Sequence, residues 1–239
     1  MTVLALTLAG PMQAWGSGSR FATRATDDAP TKSGVIGLLA AARGLRRTDP
    51  LEDLLSLRFG VRIDQPGELL RDFQTARTLD GGTSMPLSYR YYRADARYVV
   101  ALEADRALLE SLVDALRSPV FPLYLGRRSC PPSEPLAPRL REAALEQVLI
   151  DEPWQAAAWW RRKLDGDPVD LEFRMDGEGG AAPGLRVLGT STQRDEPRSF
   201  DPQNRQYGWR TVTHGVIPLR AGGPPAVAGL AHEPMTELE

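Results

Sequence analysis

A chain of 239 residues, 42% hydrophobic and 25% charged, can bury one substantial core and has none of the composition of a disordered segment. The single cysteine, Cys130, excludes an internal disulfide, no Cys/His cluster stands at metal-ligand spacing, and no apolar run approaches the ~18–20 residues of a membrane span. With a net charge of −2 and no signal-type start, the sequence implies a cytoplasmic protein without metal, cofactor or membrane, and not one that coats nucleic acid with its whole surface.

Thr2–Ala9 alternates Leu4, Leu6 and Leu8 with Val3, Ala5 and Thr7, the period of a strand. A long polar loop follows. Ser33–Arg43 then places Val35, Ile36, Leu38, Leu39 and Ala42 at helical spacing before Gly44. A short helix is expected from Asp49-Pro50 to Leu57, and Phe59, Val61 and Ile63 alternate as a second strand. LLRDFQTAR and YRYYRADARYVVALE flank the turn-rich LDGGTSMP, so Leu70–Glu103 reads as an extended β-hairpin. Asp105–Arg117 is an amphipathic helix, and Val120–Leu125 is read as the next strand. The order β-α-β-β-α-β is the ferredoxin-like (RRM-like) arrangement of many RNA-binding domains, which makes the fold class α+β. Beyond Pro131 come a helical stretch from Arg139 to Lys163 broken at Pro153, a Gly-rich linker at 177–184, and strands at Leu185–Thr190 and Thr211–Leu219.

Charge is spread unevenly. From Met12 to Arg47 six bases face two acids, whereas from Asp151 to Glu178 eight acids face four bases. The opening loop joins Gly10-Pro11, Gly16 and Gly18, which bend the backbone, to Gln13, Trp15, Arg20, Arg24 and Lys32. Single-stranded RNA is held by such mixtures of cations, aromatic planes and amides at a helix start, here Lys32-Ser33-Gly34. Trp15 by itself reads as core beneath the loop. Thr31-Lys32-Ser33 is not a P-loop, since Thr31 and Thr26 occupy the glycine positions. In LYLGRRSCPP, Gly126, Arg127 and Arg128 directly follow the expected strand; alone they would pass for a basic turn. The hairpin interleaves Arg71, Arg77, Arg90, Arg93 and Arg97 with Tyr89, Tyr91, Tyr92 and Tyr98. The first strand shows no aromatics, so RNA would be gripped by loops and hairpin, with the sheet as scaffold. His214 and His232 lie far in sequence from these loops, and no catalytic signature is present.

The stretches LAGPMQAWG (Leu8–Gly16), PTKSGVIGLLAA (Pro30–Ala41), LRDFQTA (Leu70–Ala76), LGRRSCPP (Leu125–Pro132) and RDEP (Arg194–Pro197) resemble, in order, those of the CRISPR-associated protein 5 family of type I-E Cascade. The resemblance implies a ferredoxin-like palm at 1–130 with a protruding β-hairpin thumb at about 71–97. It further implies a C-terminal α/β elaboration packed on the palm at 131–225 and a flexible tail at 226–239. It also implies a non-catalytic subunit that caps the 5′ handle of the guide crRNA in antiviral defence. Its partners would be the backbone subunit CasC, the large subunit CasA and target DNA near the thumb. The RNA-binding residues would be Gln13, Trp15, Gly16, Arg20, Arg24, Lys32, Ser33, Arg90, Arg93, Gly126, Arg127 and Arg128. RDEP is assigned to structure, because two acids beside an arginine more often close a turn than bind RNA. The alternative is a metal-independent endoribonuclease that processes precursor RNA, since related members of another CRISPR subtype cut it themselves.

Overall fold

The computed structural model describes residues 1–16, 23–164, 167–177 and 182–219. Arg20, His232 and the expected tail at 226–239 lie outside the described residues. In chain order the elements are β1 (Thr2–Ala9), β2 (Met12–Gln13), β3 (Thr23–Arg24), α1 (Lys32–Ala42), a 3-10 turn (Glu52–Ser56), β4 (Arg58–Gln65), β5 (Glu68–Gln74), β6 (Ser88–Ala94), β7 (Arg97–Ala104), α2 (Arg106–Arg117), β8 (Arg139–Arg141), α3 (Leu145–Asp151), α4 (Ala158–Lys163), β9 (Asp170–Asp176), β10 (Arg186–Ser199) and β11 (Gln206–Pro218).

A seven-stranded sheet in the order β10-β11-β9-β4-β7-β1-β8 forms the body, and every pairing is antiparallel. All eight residues of β1 are buried because both its faces are covered. Leu4, Leu6 and Leu8 pack with α1 and α2 residues such as Ile36, Leu39, Leu109 and Leu112. Val3 and Ala5 pack on the other side with Leu145, Leu149 and Phe173. Arg62 crosses that second layer fully buried. It donates Nε and Nη2 to Asp64 at 2.7 and 2.9 Å and Nη1 and Nη2 to the carbonyls of Leu149, Glu152 and Pro153, so it closes the carbonyl end of α3.

The hairpin is less regular than its periodicity predicts. Its outgoing strand ends at Ala94, Asp95 takes φ +55°, and β7 continues into the body sheet. Among the described residues β5 and β6 stand apart from the body sheet, with the short strands β2 and β3 paired to β6. Val120–Leu125 forms no strand. Pro119 and Pro122 lack the N–H a ladder needs, and the Val120 and Phe121 amides instead donate to Ala42 and Ala41, closing the carbonyl end of α1. The strand that follows α2 and flanks β1 is β8, inside the stretch expected to be helical. Past it, β9 to β11 extend the same sheet from β4 rather than packing on its face. β10 and β11 are longer than the alternation predicts, with register shifts near Val187, Gln193 and Pro197 that obscure their period.

Candidate nucleic-acid interface

Three segments meet at one end of the sheet: the opening loop, the loop after Leu125, and the root of the β5–β6 hairpin. Their junction is built from residues that the sequence presents as ligands. The Trp15 indole is fully buried and donates Nε1–H to Gln13 Oε1 at 3.1 Å. Gln13, equally buried, donates to the carbonyls of Ala96 at 2.7 Å and Leu8 at 3.3 Å. Trp15 lies so close to α1 that a Cβ on Gly34 would stand 2.8 Å from its ring. Neither side chain offers a free edge or face, so both are corrected from ligands to core.

Lys32 and Ser33 are corrected in the same way. Thr31 caps α1, accepting from Gly34 N at 3.2 Å, and Ser33 is buried with its Oγ 3.4 Å from Thr31 Oγ1. The buried Lys32 donates Nζ to Asp176 and Glu196, both at 2.9 Å. Its backbone amide donates to Asp195 Oδ2 at 2.8 Å, so Asp195 rather than a phosphate holds the positive end of the helix. Arg210 completes the cluster, donating to Asp195 at 2.6 and 2.9 Å and to Asp176 at 2.5 Å. Burial lowers the Arg210 pKa, and the hydrogen bonds and charges of Asp195 and Asp176 more than reverse this. Asp195 and Glu196 of the RDEP stretch are therefore structural, in keeping with their reading from sequence.

The loop after Leu125 locks onto this base. Ala14 N donates to Leu125 O at 3.1 Å, and Gly126 takes φ +84°. A Cβ there would stand 1.8 Å from Ala14 O, so only glycine permits the contact. Arg127 points inward. Its Nη1 donates to Tyr91 O at 3.0 Å, its Nη2 to Arg24 O at 2.9 Å and Ala25 O at 3.2 Å, and its guanidinium lies 4.9 Å over the Tyr92 ring. Arg127, half-buried, thus clamps the opening loop to β6. Cys130 is buried, and burial pushes its thiol pKa up.

What remains open to solvent is a smaller set. Gly16, Arg24 and Arg128 are exposed. Arg24 on β3 is the register partner of Arg90 on β6, and like charges facing across a strand pair repel unless an anion lies between them. Asp72, the partner of Arg90 on the other side, turns its carboxylate to Phe73 N at 2.8 Å and Gln74 Nε2 at 3.4 Å. Arg90 and Arg93, both half-buried, each hold a buried Nε without a hydrogen-bond partner among the described residues. Along the hairpin Arg71 lies 5.5 Å over the Tyr89 ring, and Phe73 is 65% exposed. Tyr98, by contrast, belongs to the core and donates its hydroxyl to Asp28 O at 2.9 Å.

His214 lies closer to the opening loop in space than in sequence. It lines a groove of about 500 Å³ with Asp27, Asp28, Glu172, Arg174 and Gln193. Three carboxylates there oppose one arginine, which Asp28 already engages at 2.7 and 2.5 Å. This groove does not attract phosphates. Among the described residues no helix is long and apolar enough to cross a membrane, and no His/Cys/Asp/Glu group has the arrangement of a metal site.

The chain thus has an α+β body built on an antiparallel sheet, with the β5–β6 ribbon and arginine-bearing loops at its root. The family model described as CRISPR-associated protein (Cas_Cas5) matches residues 3–213, and the chain belongs to that family. The chain is 38% identical over 154 residues to the CRISPR system Cascade subunit CasD of Escherichia coli (strain K12), covering 56% of this chain and 68% of that one. Among solved structures it is similar to a chain of a CRISPR RNA-guided surveillance complex (TM-score 0.72, 31% identity, 91% of this chain and 90% of that one). It is also similar to a chain described as a Cas protein crystal structure (TM-score 0.68, 37% identity, 93% and 100%).

Proposed function

We propose that this chain is a Cascade subunit that holds the 5′ handle of the guide RNA in a CRISPR surveillance complex. Arg24, Arg90, Arg93 and Arg128 would meet phosphates, and the backbone at Gly16 gives the strand close approach. The observation that carries the reading is the Arg24–Arg90 juxtaposition on β3 and β6, where two cations share a register. The comparisons support the assignment to Cascade through the names of the relatives. The strand order β8-β1-β7-β4, with α1 and α2 on one face, supports a ferredoxin-like palm from which the β5–β6 hairpin projects as a thumb. CasC, CasA and target DNA near the thumb are the partners of this reading. The exposed Leu69, Phe73 and Leu79 of the hairpin are surface for them to cover.

The subunit is read as non-catalytic. The palm's lysine, Lys32, is pinned between two carboxylates and cannot approach a 2′-hydroxyl, and His214 sits among acids. Binding of handle RNA by the full chain, followed by fluorescence anisotropy across a salt series, tests the reading. The Arg24→Ala/Arg128→Ala variant should lower the salt slope by roughly 0.7 per lost phosphate contact. An unchanged slope and affinity would remove these residues from the RNA. Site-specific cleavage of repeat RNA in EDTA would instead establish the nuclease alternative.

A further inference from the structure

Helix α4, AWWRRK, buries none of its six residues. Trp159 is 48% exposed, and its ring meets that of Trp160 edge to face with centroids 5.6 Å apart. Lys163 Nζ stands 5.4 Å over the Trp160 ring, and Arg161 keeps a buried Nε without a hydrogen-bond partner among the described residues. Cations in a last helical turn suit its carbonyl end, which explains the charge but not two adjacent tryptophans on a helix with no buried residue. The position of the helix is fixed. Ala157 N, its N-cap, donates to Gln65 Oε1 at 3.0 Å, and Gln65 Nε2 donates to Asp95 O at 2.6 Å. Gln65 ends β4 and Asp95 follows β6, so α4 hangs from the root of the hairpin, and the chain reaches it from α3, on the sheet face away from α1.

We infer that Trp159, Trp160, Arg161 and Lys163 form a second binding surface for single-stranded nucleic acid, with a base stacked on Trp159 and its flanking phosphates on Arg161 and Lys163. Stacking planes beside cations are what an unpaired strand requires whatever its sequence. Among the described acids of the same segment, Glu152 pairs with Arg139 and Arg141, Asp170 with Arg186, and Asp176 with Lys32 and Arg210. The side chains from Trp159 to Lys163 include no aliphatic residue, which favours a nucleic acid over an apolar protein anchor. The strand is either guide RNA or DNA freed from pairing. The inference rests on the surveillance-complex reading for its context.

The test uses the full chain in its assembled complex, with labelled oligothymidylate and oligouridylate as separate probes. Trp159→Ala should weaken probe binding about 5-fold or more, and Trp159→Phe should restore most of it. Arg161→Ala/Lys163→Ala should flatten the salt slope by roughly 0.7 for each contact. A drop in retained guide identifies the strand as guide RNA; intact guide with weakened oligothymidylate binding identifies it as DNA. Unchanged probe affinity and guide content would overturn the inference, as would loss of a neighbouring subunit with nucleic-acid affinity intact, which would mark a protein contact. Handle binding that survives Trp159→Ala but fails in Arg24→Ala/Arg128→Ala separates this surface from the one proposed above.

Discussion

The base of the opening loop and the β5–β6 hairpin are made of the same residue types and use them in opposite ways. At the base, Gln13, Trp15 and Lys32 find partners within the chain and disappear into it, and the half-buried Arg127 gives its donors to backbone carbonyls. On the hairpin, Arg71, Phe73 and Tyr89 stay in water, and Arg90 at its root faces another arginine. The difference lies in what stands opposite. Helix α1 and strands β9–β11 supply carboxylates and a glycine face to the base, while among the described residues the hairpin is met by two two-residue strands and by Arg127 at Tyr91 and Tyr92. Residue type announces what a side chain can bind, and neighbours decide whether it binds inside or outside the protein.

The strongest way to break this comparison is to remove a partner from the base. Lys32→Met leaves three buried or half-buried carboxylates with Arg210 alone, and should cost about 3–5 kcal/mol in denaturant unfolding. A stability within experimental error of the parent would place Lys32 on the surface after all. Gly126→Ala combines a forbidden φ with a clash at Ala14 O and should cost about 2–4 kcal/mol; a Tm within about 1 °C of the parent contradicts the packing described.

Two arginines side by side sharpen the comparison further. Arg127→Ala strips three backbone carbonyls of their donor and should destabilise by about 1–3 kcal/mol, weakening handle binding while leaving its salt slope intact. Arg128→Ala should do the reverse, with stability unchanged and the slope reduced by roughly 0.7. Matching slopes for the two variants would mean that both touch phosphate. The smallest effect concerns Asp28. Burial raises its pKa, but the Arg174 hydrogen bonds and charge outweigh this and hold it below its ordinary value of 3.8. A carboxyl with a lowered folded pKa contributes stability fully above its unfolded pKa and loses it as pH falls through the folded value. The Tm gap between the parent and Asp28→Asn should therefore narrow below pH 3.8, and a gap constant down to pH 2 would contradict the pairing.

Most of the body was legible because its signals are local. The alternation of β1, the stripe of α2 and the turn residues of the hairpin are each visible within a dozen residues. Val120–Leu125 was misread because its apolar pattern suits a strand while Pro119 and Pro122 deny it hydrogen bonds. β9 was invisible among acids such as Asp170 and Asp176, whose partners Arg186, Lys32 and Arg210 come from elsewhere in the chain. For the interface, the exposed members Arg24 and Arg128 could be named from sequence, but their separation from the buried Gln13, Trp15 and Lys32 could not. Motif quotation treats neighbours in sequence as equals, whereas burial is assigned by segments more than a hundred residues away.

Asp195 reaches back 163 residues to cap the first helix, and this sets a timetable for synthesis. Until the ribosome has delivered β9 and β10, α1 exists with its leading amide bare and Lys32 facing no carboxylate, so the N-terminal half must wait, partly assembled, for these strands. A nascent chain arrested before Asp170 is the species that holdase chaperones would find, with Leu69, Phe73 and Leu79 of the hairpin uncovered.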